Sequence, residues 1–108
     1  MAIDYRVERW NELSPPLSAM LRLRLTQENY DVFQWCDNPG MLYGNHMHDE
    51  DQTHWVLSGT LELTVQQVGT LTLNAGDRDY LPARAYHSAR VVGDEPVMYL
   101  VGIKRREV

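Results

Sequence analysis

From Tyr30 onward, apolar and polar residues alternate in short runs broken by turn-forming residues, the period-two signature of half-buried β-strands. YDVFQWC at 30–36 reads as one strand, stopped by DNPG at 37–40, the strongest turn signal in the chain. LYGNHMH at 42–48 reads as the next. After Asp49, Glu50 and Asp51 comes QTHWVLS at 52–58, whose Ser58-Gly59 pair predicts a tight hairpin into TLELTV at 60–65. Gly69 marks a turn before Leu71 and Leu73, which share one face, and AGD at 75–77 turns the chain again. RDYL then runs to Pro82, and HSARVV at 87–92 and VMYLVGI at 97–103 flank GDEP.

Before Tyr30 the pattern is less regular. SPP at 14–16 argues against a long opening helix, because each proline removes a donor and restricts its predecessor, so residues 1–18 are expected to form an N-terminal arm or edge strand. In MLRLRLT at 20–26, Leu21, Leu23 and Leu25 alternate with Arg22 and Arg24, which predicts another strand, with Asn29 and Asp31 bracketing the turn after it. Short strands with turns roughly every 8–12 residues, and no run of helical periodicity, predict an all-β sandwich or barrel. Its 108 residues fit a single domain spanning 1–108.

Charge narrows the partners. Ten Lys and Arg against fifteen Asp and Glu give a formal charge of -5, which opposes binding to a nucleic acid backbone or an anionic membrane. No apolar run has the length of a membrane span, and MAIDYRVERW lacks the apolar stretch of a secretory signal, so a cytoplasmic protein is expected. Cys36 is the single cysteine; it has no partner for an internal disulfide and is expected to be a small buried residue. Motifs for nucleotide binding, thiol redox chemistry and serine hydrolysis are absent from the sequence.

The candidate chemistry lies in four histidines, His46, His48, His54 and His87. His46 and His48 form H-x-H on an expected strand, where residues two apart project to one side, about 6–7 Å apart in rise, and such a pair can converge on one ion. Counting by twos from Gln52 puts His54 and Val56 on one face, so His54 is expected to look into the barrel as a substitute ligand, a hydrogen-bond donor to a ligand or a general base. Ala89 and Val91 share the face of His87, which makes the wall there apolar. The spacing from Gly40 to His46, His48, Gln52 and Gly59, followed by Gly76, Pro82 and His87, resembles the two motifs of the cupin superfamily.

That resemblance implies a double-stranded β-helix, or jelly roll, barrel holding a divalent metal on His46, His48 and His87, with Gln52 where the family usually places a glutamate. Arg84 stands in place of a motif glycine and Val91 in place of a motif asparagine. A neutral Gln52 amide leaves the full +2 charge of the ion, which favours an anionic substrate or hydroxide as a further ligand. Nitrogen and oxygen donors of this kind suit Fe(II), Mn(II), Ni(II), Zn(II) or Cu(II). One carboxylate of the 49–51 run is expected to orient His46 or His48 through the distal ring nitrogen.

Two functions follow. The first is a metalloenzyme acting on a small organic molecule by oxygenation, isomerisation or lyase chemistry, with His54 or Gln52 handling protons or orienting substrate. The second is a non-catalytic protein that captures a small ligand in the same cavity. Asp79 becomes a candidate acid or base if Leu81 points inward. Trp55 and Leu57 face away from His54 and need a cover, from the second sheet, the arm or another subunit, and Phe33 and Trp35 pose the same question; small cupins commonly associate through a sheet, which points to a homodimer.

Overall fold

The computed structural model describes residues 3–106; Met1, Ala2, Glu107 and Val108, which the single-domain expectation includes, lie outside the described residues. In chain order the elements are β1 (Arg6–Glu8), α1 (Ser18–Gln27), β2 (Tyr30–Asp37), β3 (Leu42–His46), β4 (Gln52–Ser58), β5 (Thr60–Val65), β6 (Gly69–Leu73), β7 (Arg78–Tyr80), β8 (His87–Val92) and β9 (Val97–Lys104). They form a five-stranded sheet in the order β1-β7-β4-β9-β2 and a four-stranded sheet in the order β3-β8-β5-β6. All pairings are antiparallel. From β2 onward every consecutive pair of strands except β5–β6 lies in different sheets, which is the winding of a double-stranded β-helix.

Alternation along the strands sends one set of side chains between the sheets. Val56, Leu61, Leu63, Val65, Leu73 and Leu81 are almost fully buried there. Each such side chain contributes about 1.5–3 kcal/mol by leaving water, which is the main force holding the two sheets face to face.

MLRLRLT is helical, contrary to the strand expected from its alternation. Leu21 and Leu25 are four apart and form one buried stripe, whereas Leu23 points to solvent. Residues 19–25 contain only Ala, Met, Leu and Arg, all strong helix formers, and Pro15-Pro16 precede the helix where their missing N–H groups cost nothing. Asn29, at φ 73°, ends the helix in the left-handed conformation, so the turn lies at Glu28–Asn29 and Asp31 already belongs to β2.

The helix supplies the cover that the outer face of the five-stranded sheet requires. Leu21 and Leu25 pack with Tyr30, Trp55 and Leu100, and Leu57 lies against the same cluster. Trp55 is therefore covered by the chain's own α1 rather than by a partner, which removes the reason that residue offered for a homodimer. Beneath the helix the Arg78 side chain is buried, donating to Glu28 Oε1 at 2.7 Å and Thr53 Oγ1 at 2.9 Å, with its guanidinium over the rings of Trp55 and Tyr80.

Ser58-Gly59 is a second departure. It does not close a hairpin: β4 pairs with β7 and β9, and β5 with β6 and β8, so the turn carries the chain from one sheet to the other. Gly59 has φ +80°, and a Cβ there would strike the Pro96 carbonyl, so the crossing requires glycine. Cys36 is exposed rather than buried. It shares the outer face of β2 with Gln34, which meets Ser18 at the start of α1; two residues further on, the helix no longer covers the strand.

Candidate metal centre

His46 ends β3 and pairs directly with His87, the first residue of β8. His48 follows in the loop, not on the strand as its spacing suggested, after a register irregularity between Tyr43 and His46. The three rings still converge: centroids lie 4.8 Å apart for His46 and His48, 4.4 Å for His46 and His87, and 5.2 Å for His48 and His87. One ring nitrogen from each lies within 4.8 Å of the others, a spacing that can close on a single ion.

Two rings are held by backbone carbonyls. His46 Nδ1 donates to the Gly44 carbonyl at 2.6 Å and His87 Nδ1 to the Ala85 carbonyl at 2.9 Å, which leaves Nε2 of each as the lone-pair nitrogen. These carbonyls do what a carboxylate of the 49–51 run was expected to do. The chain bends at Asp49 and Glu50, and the carboxylates turn outward: Asp51 accepts from the Ala83 N–H at 2.8 Å, and Glu50 and Asp49 face Arg106 and Arg84.

Burial lowers the pKa of His87 to about 4, against the opposing hydrogen bond to Ala85 and with help from His54, His46 and His48. Burial, together with His46 and His54, also lowers that of His48. Both rings are thus neutral near pH 7, the form that binds a metal. Three converging imidazoles, two of them with fixed ring orientations, fit a borderline divalent ion.

The cluster lines a cavity of about 320 Å³ together with Gln52, His54 and Tyr99. Gln52 is buried, and no side-chain hydrogen bond holds its amide among the described residues, so the amide is free for a ligand in the cavity. His54 is held from behind. Its Nδ1 lies 3.0 and 3.1 Å from the two oxygens of Asp79, its backbone N–H donates to Asp79 Oδ1 at 2.7 Å, and Tyr5 from the arm donates to Asp79 Oδ2 at 2.9 Å. Burial disfavours the His54 cation, but the charge of Asp79 and its hydrogen bond outweigh it, so the His54 pKa is raised. Leu81 is core and Asp79 shares its inward face, fully buried.

Sequence alternation correctly aimed His54 and Ala89 into the cavity, but it missed Tyr5, Phe33 and Trp35. Phe33 and Trp35 share the inner face of β2 with Asp37 and so do not form the outer face in need of a cover that the sequence pattern suggests. Nothing short-range could have found Tyr5, which meets Asp79 across most of the chain. Arg84 adopts φ 66°, the left-handed conformation expected of the motif glycine it replaces, and its N–H donates to the His48 carbonyl at 2.7 Å.

The family profile of the cupin domain matches residues 33–103. Among solved structures, an uncharacterised double-stranded β-helix protein from Klebsiella pneumoniae is 27% identical, with a TM-score of 0.62 over 70% of this chain and 63% of that one. A structure of the DMSP lyases RdDddP and RnDddQII is 28% identical, with a TM-score of 0.59 over 68% of this chain and 36% of its own. Bacillus subtilis oxalate decarboxylase, studied for its Mn(II) centres, is 25% identical, with a TM-score of 0.65 over 74% of this chain and 22% of its own. The match thus spans under two thirds of each of these relatives. Among curated proteins no sequence matches the chain significantly.

Proposed function

The chain belongs to the cupin domain family, and from that premise we propose that it is a metal-dependent cupin acting on a small organic anion. The observation that carries this reading is the His46, His48 and His87 cluster in the wall of a cavity that a carboxylate-backed His54 also lines. His46, His48 and His87 would hold a divalent ion, with the Gln52 amide oxygen as a fourth donor. Such an ion supplies Lewis-acid polarisation of a bound oxygen, or activation of dioxygen if it is redox-active. Mn(II) and Fe(II) suit the donor set, and the likeness to a manganese decarboxylase and to lyases supports a decarboxylase, lyase or isomerase type of reaction.

The protein's own part is proton handling and orientation. Asp79 keeps the Nδ1 proton on His54, so Nε2 is the nitrogen that takes a proton from, or returns one to, a group in the cavity. Tyr5 steadies Asp79 and prevents the carboxylate from turning away. Neutral Gln52 leaves the site's positive charge for the substrate's carboxylate or enolate to balance.

The test is metal analysis of freshly purified protein by mass spectrometry. It is followed by assay of the Mn(II)- and Fe(II)-loaded forms, aerobically and anaerobically, against hydroxy and keto acids. Turnover lost in both His87→Ala and His54→Ala supports the enzyme. Tight binding without turnover under every metal replaces it with a ligand-capturing cupin, and a wild-type protein that retains no divalent metal rejects the reading.

A further inference from the structure

The cavity wall changes character across the five-stranded sheet: His54 on β4 and Phe33 on β2 flank Val101 of β9, two strands apart. Its polar lining comprises the histidines, Gln52 and two tyrosines, and among the described residues no Lys, Arg, Asp or Glu lines it. The tyrosines are Tyr43 and Tyr99. Both donate their protons to Asp37, at 2.8 Å each, behind the wall. The rest of the wall is apolar, with Leu61 and Ala89 from the four-stranded sheet opposite Val101 from the five-stranded one.

The aromatic pair sits in an unusual state. Phe33 and Trp35 line this cavity, yet they are 49% and 50% exposed. They are the large hydrophobic side chains that β2 turns toward the site, next to Val101 and Tyr99 on β9 in the strand register. A ligand held by its head at the histidines and carrying an apolar body would cover these rings and release their water. A second carboxylate would be stripped of water with no cation to meet it, and a polyhydroxylated body would find no free donor beside these rings.

Resting on the metal-centre reading above, we infer that the cavity selects monoanionic acids with an apolar, ring-sized body, the anionic head at His46, His48 and His87 and the body against Phe33 and Trp35. The volume accommodates a ring of six atoms and a short acid head. Polar sugar acids and dicarboxylates are the classes it rejects.

The experiment compares probes that share one head. Mandelate and glycolate are both 2-hydroxy acids, and only mandelate has a phenyl body; malate adds a second carboxylate and gluconate a polyol. Calorimetric titration of the Mn(II)-loaded protein should show mandelate binding about tenfold more tightly than glycolate, since burial of a phenyl group is worth at least that factor. Malate and gluconate should bind no more tightly than glycolate. In Trp35→Ala and Phe33→Ala, which alter half-exposed side chains, the mandelate-to-glycolate ratio should fall to about threefold or less while metal content stays that of the wild type.

Metal-dependent glycolate binding with no mandelate preference overturns the inference and leaves the metal centre standing, as does tighter binding of malate or gluconate. A tryptophan emission that responds to protein concentration rather than to mandelate, with the response lost in Trp35→Ala, makes the aromatic pair a contact between copies of this chain and likewise overturns it. Absence of metal uptake in the wild type overturns both readings.

Discussion

His46 and His87 are direct partners across the β3–β8 pairing, with ring centroids 4.4 Å apart. Their convergence is therefore a property of strand register rather than of a flexible loop. His46→Ala and His87→Ala should each remove most bound divalent metal, measured by mass spectrometry, while the far-ultraviolet circular dichroism spectrum remains that of a β protein. Full metal occupancy in the purified His87→Ala protein would exclude that residue as a ligand.

Gln52 and His54 make opposite predictions. Gln52→Glu places an anion beside the ion, so Mn(II) affinity should rise by roughly tenfold through stronger attraction in a poorly screened site. His54, its Nδ1 held by Asp79, should tolerate replacement by Ala with less than about threefold change in Mn(II) affinity. Calorimetric titration of the three apo proteins decides the matter. A sharp loss in His54→Ala with no change in Gln52→Glu would make His54 the fourth donor instead.

Glu28 ties the end of α1 to buried Arg78. Burial raises its pKa, but the hydrogen bond and charge of Arg78 outweigh that, with help from Arg24 and Lys104, and the folded-state value lies below the ordinary 4.5. A depressed folded pKa adds stability that is present above pH 4.5 and is lost as pH falls through the folded value. Glu28 is partly exposed, so Glu28→Gln should cost about 1–2 kcal/mol at pH 7 and less at pH 3. Urea unfolding at the two pH values measures the difference, and an equal loss at both would mean that the ion pair does not stabilise the fold.

Leu25 is fully buried on the inner face of α1. Leu25→Ala should destabilise by about 2–4 kcal/mol through lost burial and the cavity left behind. It should also loosen the cover over Trp55, seen as a red shift of tryptophan emission before global unfolding. An unchanged emission maximum together with unchanged stability would mean that the helix is not what buries Trp55.

Much of this architecture was legible because strand burial repeats every two residues: YDVFQWC, TLELTV, HSARVV and VMYLVGI all occupy strands where the pattern placed them. The same rule misread MLRLRLT, since a Leu at every second position over five residues also places Leu21 and Leu25 on one helical face. Local alternation cannot choose between a helix and a strand in so short a run. What chose was the apolar outer face of Trp55, Tyr30 and Leu100, against which a helix could lay its stripe.

The residue types of the centre, their spacing and the inward aim of His54 are properties of the chain order. Strand alternation and a fixed interval between motifs are short-range, and they survive any arrangement of the sheets. Which sheet β5 joins, the meeting of His46 with His87, the reach of Tyr5 to Asp79 and the inward turn of Phe33 and Trp35 belong to the tertiary structure. These contacts join residues remote in sequence, so they exist only once the burial of Leu61, Leu63 and Leu73 has brought the two sheets together.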